Sequence, residues 1–424
     1  MLFLMFLLAA ASASSDAYTF VRPNCTIPAE GLHNFISAPN VRGTLDILWS
    51  CLATIIACTY TLLHLNIPEQ RDAKDRDRGW RGDMKWWWKS MRTSINWTLI
   101  TVLAPEWYSG TAIQELTDSR RLLRDLNHLP KVQHPARGWT LAHAFFVIMG
   151  GFRIPVHDIA DDWPSLIVLK GKSFVKLLQE QGYILRQSDR PLGIALPTEA
   201  DILDRSKSDR FAKSITILQV SYFCINCFVR LGRRLPITLL ELGTLGFAAC
   251  SMVSYAVLFK KPRAVNSTVI LPDLNLGACP SAAKIVKDNG PLVKSAGTAK
   301  WKSDTWISTI LLSIVLGAIH IAGWNFAFPS QIDRWLWRSC AIASAASPLL
   351  WMGLSLPVFA MTLTNFSDSA IVGALWVTAL QQGILTVVYV IARTVLTALM
   401  VRSLFFLPPE TFVTTWATSI PHLG

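Results

Sequence analysis

Residues 41–68, VRGTLDILWSCLATIIACTYTLLHLNIP, constrain this chain more than any other stretch. Between positions 44 and 65 the only Asp, Glu, Lys, Arg or His side chains are Asp46 and His64. At about 1.5 Å per residue a helix of this length spans a hydrocarbon layer of roughly 30 Å. Residues 43–65 therefore predict a transmembrane helix, and the rest of the chain must be organised around a bilayer. Few charges precede it and a basic run beginning at Arg71 comes after it. That asymmetry places the downstream side in the cytosol.

The composition agrees. Half of the residues are hydrophobic and there are 17 tryptophans, a residue at home where a membrane meets water. The net charge of +12 could suggest nucleic acid, but most basic residues lie in loops beside apolar stretches. The lipid bilayer, with its anionic headgroups, is the partner this pattern implies, and no nucleic acid. The eight cysteines are scattered, without paired metal-ligand spacing or a disulfide framework.

Ahead of the first span, residues 2–11 form an apolar run too short to cross, followed by Ala11-Ser12-Ala13, the small-residue pattern of a signal-peptidase site. A cleaved signal peptide over 1–13 is expected. An uncleaved anchor is the alternative, since no basic residue lies near Met1. Residues 14–42 are then lumenal or extracellular, and Asn24 heads a glycosylation sequon in the right compartment.

Residues 66–213 show no clear span, and from position 68 onward carry 23 Lys and Arg against 18 Asp and Glu, which suits a cytosolic region of mainly helical pattern. Within it Trp86, Trp87, Trp88 and Trp97 stand among Lys85, Lys89 and Arg92. Rings at headgroup depth with cations reaching phosphate describe an interfacial helix; packing in a small cytosolic core is the alternative. His157, Asp158, Asp161 and Asp162 match no known metal-ligand spacing and read as a surface loop, so no metal is expected. Gly150-Gly151 lacks the context of a phosphate loop and reads as a helix end. Cys224 and Cys227 form a CxxC inside an apolar run, where packing is the default. Thr198 and Asp201 have the spacing of a capping box.

Downstream, residues 237–259, 305–324, 340–361 and 369–401 are each long enough to cross. Residues 214–229 are uncharged but short. If they cross, there are six spans and the loop at 260–304 is cytosolic; if not, five, and the loop is lumenal. Its eight basic and three acidic residues favour six. The fold class expected is all-α: a polytopic helical membrane protein with a mainly helical cytosolic region and a tail over 402–424.

RGTLDILWSC followed by TLLHLNIP resembles the opening helix of a fungal family of multi-pass membrane proteins with no established activity. LAPEW at 103–107, HAFFVIMGGF at 143–152, DRSKSDRFAK at 204–213, LWR at 336–338 and the final SIPHLG extend the resemblance over most of the chain. It implies a polytopic fold and supplies no catalytic residue and no cofactor.

Intramembrane charge is the remaining signal. Glu241, His320 and Arg393 each lie in an apolar span, where an unpaired charge costs several kcal/mol, so a polar cluster with Glu241 and Arg393 as its ion pair is expected. With six spans Asp46 joins it. Such a cluster would suit a proton-linked or substrate-binding role; snorkelling of Arg393 to the headgroups is the plain alternative. Without repeats or catalytic motifs, the expected function is that of an accessory or scaffold protein of a fungal metabolic or trafficking pathway, with a transporter or an intramembrane enzyme of specialised metabolism as alternatives.

Overall fold

The computed structural model describes residues 42–63, 66–67, 79–129, 135, 138–155, 166–169, 171–187, 196–205, 210–263, 265, 267–270, 303–363 and 368–419. Six helices in it are long and apolar enough to cross a membrane. In chain order the helices are α1 (Thr44–Leu62), α2 (Trp80–Leu103), α3 (Pro105–Asn127), α4 (Leu141–Ile148), α5 (Gly171–Gln187), α6 (Glu199–Asp204), α7 (Arg210–Gly232), α8 (Leu239–Val257), α9 (Ser303–Ala322), α10 (Gln331–Leu363) and α11 (Asp368–Ser403). Three short strands accompany them: β1 (Phe152–Pro155), β2 (Leu166–Leu169) and β3 (Val269–Ile270).

Side-chain pairings give the directions of α7, α8 and α9 relative to α1. Thr216 on α7 donates to the Ala57 carbonyl of α1 and Gln219 donates to Thr54, so residue numbers rise on one helix as they fall on the other. Helix α7 is thus antiparallel to α1. Cys51 meets Thr244 and Cys58 meets Ser251, a step of seven residues on both helices, so α8 runs parallel to α1. A Cβ on Gly246 would meet Leu316 and Ile319, and one on Gly323 would meet Leu242 and Leu239, which sets α9 antiparallel to α8. The short 214–229 stretch is therefore part of a full-length helix lying along α1. Helices α7 and α8 leave one side of the bundle and rejoin it.

Small residues bring these helices together, as membrane packing favours. A Cβ on Gly317 would overlap the Cβ of Ala345, and one on Gly110 would overlap the Thr309 hydroxyl. Helix α10 continues through Pro348 and Pro357 without interruption.

On the side where α1 and α8 end, the region expected to be mainly helical also holds a small sheet. Strand β1 pairs antiparallel with β2 and parallel with β3, in the order β2-β1-β3. Its four-residue strands offer no alternating pattern long enough to be read, and β3 arrives from beyond the α7–α8 hairpin. Phe146, Phe152, Phe174, Leu126 and Val265 share the core of this unit, joining the end of α3 to α4, α5 and the segment after α8. The expected helix end at Gly150-Gly151 is present: Gly150, with φ of +82°, donates its N–H to the Val147 carbonyl and Gly151 donates to that of Phe146. The capping box of Thr198 and Asp201 is present as well. The cluster at His157 to Asp162 lies outside the described residues, as do Asn24, Asn266 and Asn365.

His143 ties this unit together. Its Nδ1 accepts from the Thr140 backbone N–H at 3.2 Å, so its Nε2 carries the proton and donates to the Pro197 carbonyl at 3.0 Å. Burial lowers its pKa from 6.5, although the Pro197 bond and Glu199 pull the other way. The folded unit thus binds this proton less readily than the unfolded chain does. The contribution of His143 to its stability is complete above about pH 6.5 and is lost as pH falls through that value toward the lower folded pKa. Hydrogen exchange in α4, corrected for intrinsic rates, is expected to show weaker protection at about pH 5 than at pH 7.5. His143→Gln should flatten the difference; an equal pH dependence in the variant would show that another group is responsible.

Candidate site at the tip of a buried helix pair

Residues 95–103, INWTLITVL, are an apolar run about half the length needed to cross. They end α2, and Pro105 begins α3 directly after Ala104. Proline suits this position because its missing N–H would have no helical partner there. The elbow so formed lies inside the bundle. The Leu103 carbonyl accepts from Arg393 Nε of α11 at 2.6 Å, and Glu106 accepts from the Tyr389 hydroxyl. Tyr389 is 14 residues from the end of α11, about 21 Å at 1.5 Å per residue, well inside a layer of roughly 30 Å.

From the elbow α3 descends alongside α8. Ser109 donates to the Cys250 carbonyl at 3.0 Å and accepts from Ser254 at 2.7 Å, and farther down Glu115 pairs with Lys261 at 2.6 Å. Tyr108 donates to the Leu62 carbonyl, and Gly110 makes room for Thr309. Then α3 leaves the bundle and contributes Leu122 and Leu126 to the core of the β-containing unit. Helices α2 and α3 therefore enter and leave by one side. Such broken or re-entrant backbone within a membrane is tolerated where protein surrounds it.

Four polar side chains converge at the tip. His320 Nδ1 donates to the Leu316 carbonyl at 2.7 Å, leaving the Nε2 lone pair to accept from Arg393 Nη1 at 3.3 Å. In this tautomer no imidazole N–H faces the guanidinium. The Trp337 indole closes the site by donating to the His320 carbonyl at 3.2 Å. Glu106 is 2 % exposed, and while one oxygen takes the Tyr389 hydroxyl, Oε2 has no protein hydrogen-bond partner among the described residues. A buried polar atom without a partner is expensive and marks where a further group can bind.

His320 and Arg393 thus meet, as the sequence suggests, but Glu241 is elsewhere. It occupies the first turn of α8, where one carboxylate oxygen accepts from the Thr238 N–H at 2.8 Å and the other takes Arg42 in a buried ion pair. Arg393, ten residues or about 15 Å short of the end of α11, is too deep to reach it. Asp46 is exposed and caps α1 through the Gly43 N–H at 2.8 Å; it has Tyr222 as a common neighbour with Arg42 and Glu241. Sequence reasoning misses Glu106 and Tyr389. The signal available for Glu106 is a proline and a glutamate straight after a half-length apolar run.

Around the first turns of α2, Trp80, Trp87 and Trp88 are 69 %, 56 % and 58 % exposed, whereas Trp97, farther along, packs edge-on to Tyr108 at 6.4 Å. Lys85 is exposed beside them, and Lys89 sits over the Trp86 ring at 5.1 Å. Replacing Trp86, Trp87 and Trp88 with alanine is expected to reduce fluorescence quenching by lipid-borne quenchers while leaving the number of crossings unchanged. Unchanged quenching would place these rings against protein.

Among the described residues no group of three or more His, Cys, Asp or Glu could hold a metal ion. No curated protein and no solved structure matches the chain. Residues 13–279, more than half of its length, match the profile of a family of unknown function, DUF8562, and the chain belongs to that family.

Proposed function

We propose that this chain is a six-span protein of a secretory-pathway membrane that carries a small polar solute, with the elbow of α2 and α3 as the point of passage. The observation that supports it is Glu106, a buried carboxylate at a helix start deep in the bundle, one oxygen of which has no partner among the described residues. Intramembrane ionisable groups at interrupted helices are the usual place for transported ions and solutes. Purified protein in liposomes should take up at least one of a panel of amine, carboxylate and sugar probes under an imposed proton gradient. Glu106→Gln should abolish that uptake; a panel giving nothing above empty vesicles would overturn the reading.

The accessory or scaffold role has one observation in its favour: α3 runs unbroken from the elbow into the β-containing unit, so that unit reports on the bundle. Partner capture by a tagged protein, together with a silent uptake assay, would favour this second reading.

In the proposed orientation a signal peptide is removed, the N-terminal segment is lumenal, α2 and α3 enter the bundle from the cytosolic side, and α4 to α6 lie on that side. Of the four sequons only Asn24 should carry sugar, since acceptors are modified only in the lumen. Asn96 lies within α2, and Asn266 and Asn365 fall in segments on the cytosolic side. Glycosidase-sensitive mass on any of these three would reverse the orientation or the span count.

A further inference from the structure

Because α2 and α3 turn back at the elbow, they leave the layer between the elbow and the end of α11 open beside that helix. A groove of about 1090 Å³ lies there. Leu103 forms its floor, Thr394, Thr397, Ala398 and Val401 its wall along α11, and Phe405 and Phe406 its mouth, with Arg402 beside them. We propose that this groove seats one acyl chain of a glycerophospholipid from the leaflet on the Arg42 side, with the lipid phosphate at Arg402. The inference is independent of solute transport.

Length is the first argument. From Thr394 to Ser403, where α11 ends, the wall measures about 14 Å, close to half of a hydrocarbon layer of roughly 30 Å and so near the depth of one leaflet. The floor and the mouth then fall where a chain ends and where a headgroup begins.

The chemistry of the wall is the second. Thr394 and Thr397 would make it polar, but their hydroxyls donate back to the Val390 and Arg393 carbonyls at 2.8 and 2.9 Å. With those hydrogens engaged the two threonines offer the groove no free donor, and its lining is mostly apolar.

Arg402 supplies the third. Its Nε engages Asp333 at 3.3 Å and its guanidinium lies 5.6 Å from the Phe406 ring, which holds it at the mouth while its side chain stays 54 % exposed. A guanidinium so fixed can give phosphate charge-assisted hydrogen bonds. A second copy of this chain would need an apolar helix face there and no anion.

The test uses the full chain, extracted in mild detergent and passed through repeated delipidation, with bound phospholipid measured by native mass spectrometry. The wild type should retain one phospholipid per chain. Ala398→Trp, which fills the groove, should lower retention by about tenfold, and Arg402→Gln should lower it for phospholipids while leaving detergent binding unchanged. Thermal unfolding of each variant in detergent would establish that it is folded. Equal retention in folded Ala398→Trp protein would overturn the proposal, as would a wild type that holds no lipid. A dimer that Ala398→Trp disperses would also overturn it, by assigning the groove to a second copy.

Discussion

Arg230→Leu is expected to free the C-terminal segment from the bundle and to cause the largest loss of stability of any single substitution among the buried charges. Arg230 is fully buried, and its guanidinium donates to the carbonyls of Pro236, Glu410, Thr411 and Val413 at 2.8 to 3.2 Å. Two of these groups of contacts are far apart in sequence: Pro236 begins the turn into α8, and residues 410–413 belong to the tail. Leucine would leave those carbonyls buried without donors, at about 1–3 kcal/mol for each that water cannot reach. Lysine offers a compact ammonium in place of a planar fork, so Arg230→Lys should recover only a fraction. Limited proteolysis from the tail side of sealed vesicles, read alongside thermal unfolding, is the appropriate measurement. A wild-type cleavage pattern in Arg230→Leu would mean that the tail is held by its apolar contacts, such as Phe412, alone.

The second large effect is expected at Arg42 and Glu241. Glu241→Gln keeps a side-chain oxygen for the Thr238 N–H but removes the charge that faces Arg42. Breaking one partner of a buried pair typically costs about 3–5 kcal/mol, because the other charge is left uncompensated. Arg230 stands close by and adds a second positive charge to the same region. Adding Arg42→Met to Glu241→Gln should therefore restore part of the stability, and the coupling in a double-mutant cycle should be large. Glu241→Arg combined with Arg393→Glu should show no such rescue, since the two residues belong to separate groups. Rescue by that second combination, measured as membrane abundance and melting temperature, would contradict the pairing of Glu241 with Arg42.

Much of the bundle can be read from the sequence because long apolar runs have few alternatives. The exception among the spans is informative. Residues 214–229 look short because Lys213 and Arg230 bound them, yet α7 continues to Gly232. Arg230 stays inside by giving its donors to backbone carbonyls, a satisfaction that depends on residues 180 positions away. Helix α3 is hidden for the opposite reason. Its Glu, Asp and Arg residues mark it as a solvated helix, but the face it buries against α8 and α9 is built from Ser109, Gly110, Ala112 and Gln114. Small polar residues that pack against other helices carry no hydropathy signal. The site follows suit: His320 and Arg393 stand out as charged groups in apolar runs, while Glu106 is masked by the polar helix it begins. The sheet depends on β3, which pairs with β1 from more than a hundred residues away, and no local pattern announces such a partner.

The position of α3 has a consequence for how the protein is made. Ribosome and insertion machinery deliver α1, α2 and α3 before any of α8, α9 or α11 exists. Yet α3 carries Glu106, Glu115, Asp118, Arg120, Arg121, Arg124 and Asp125, and lipid offers it no partner. Its seat consists of Cys250 and Ser254, Thr309 and Tyr389, all synthesised later. The hairpin must therefore wait outside the bundle, on the side from which α2 and α3 enter, and dock only after the last helix has been inserted. In this protein the order of assembly is not the order of synthesis, and a nascent chain truncated before α11 is expected to expose α3 to a protease added on the side of the β-containing unit.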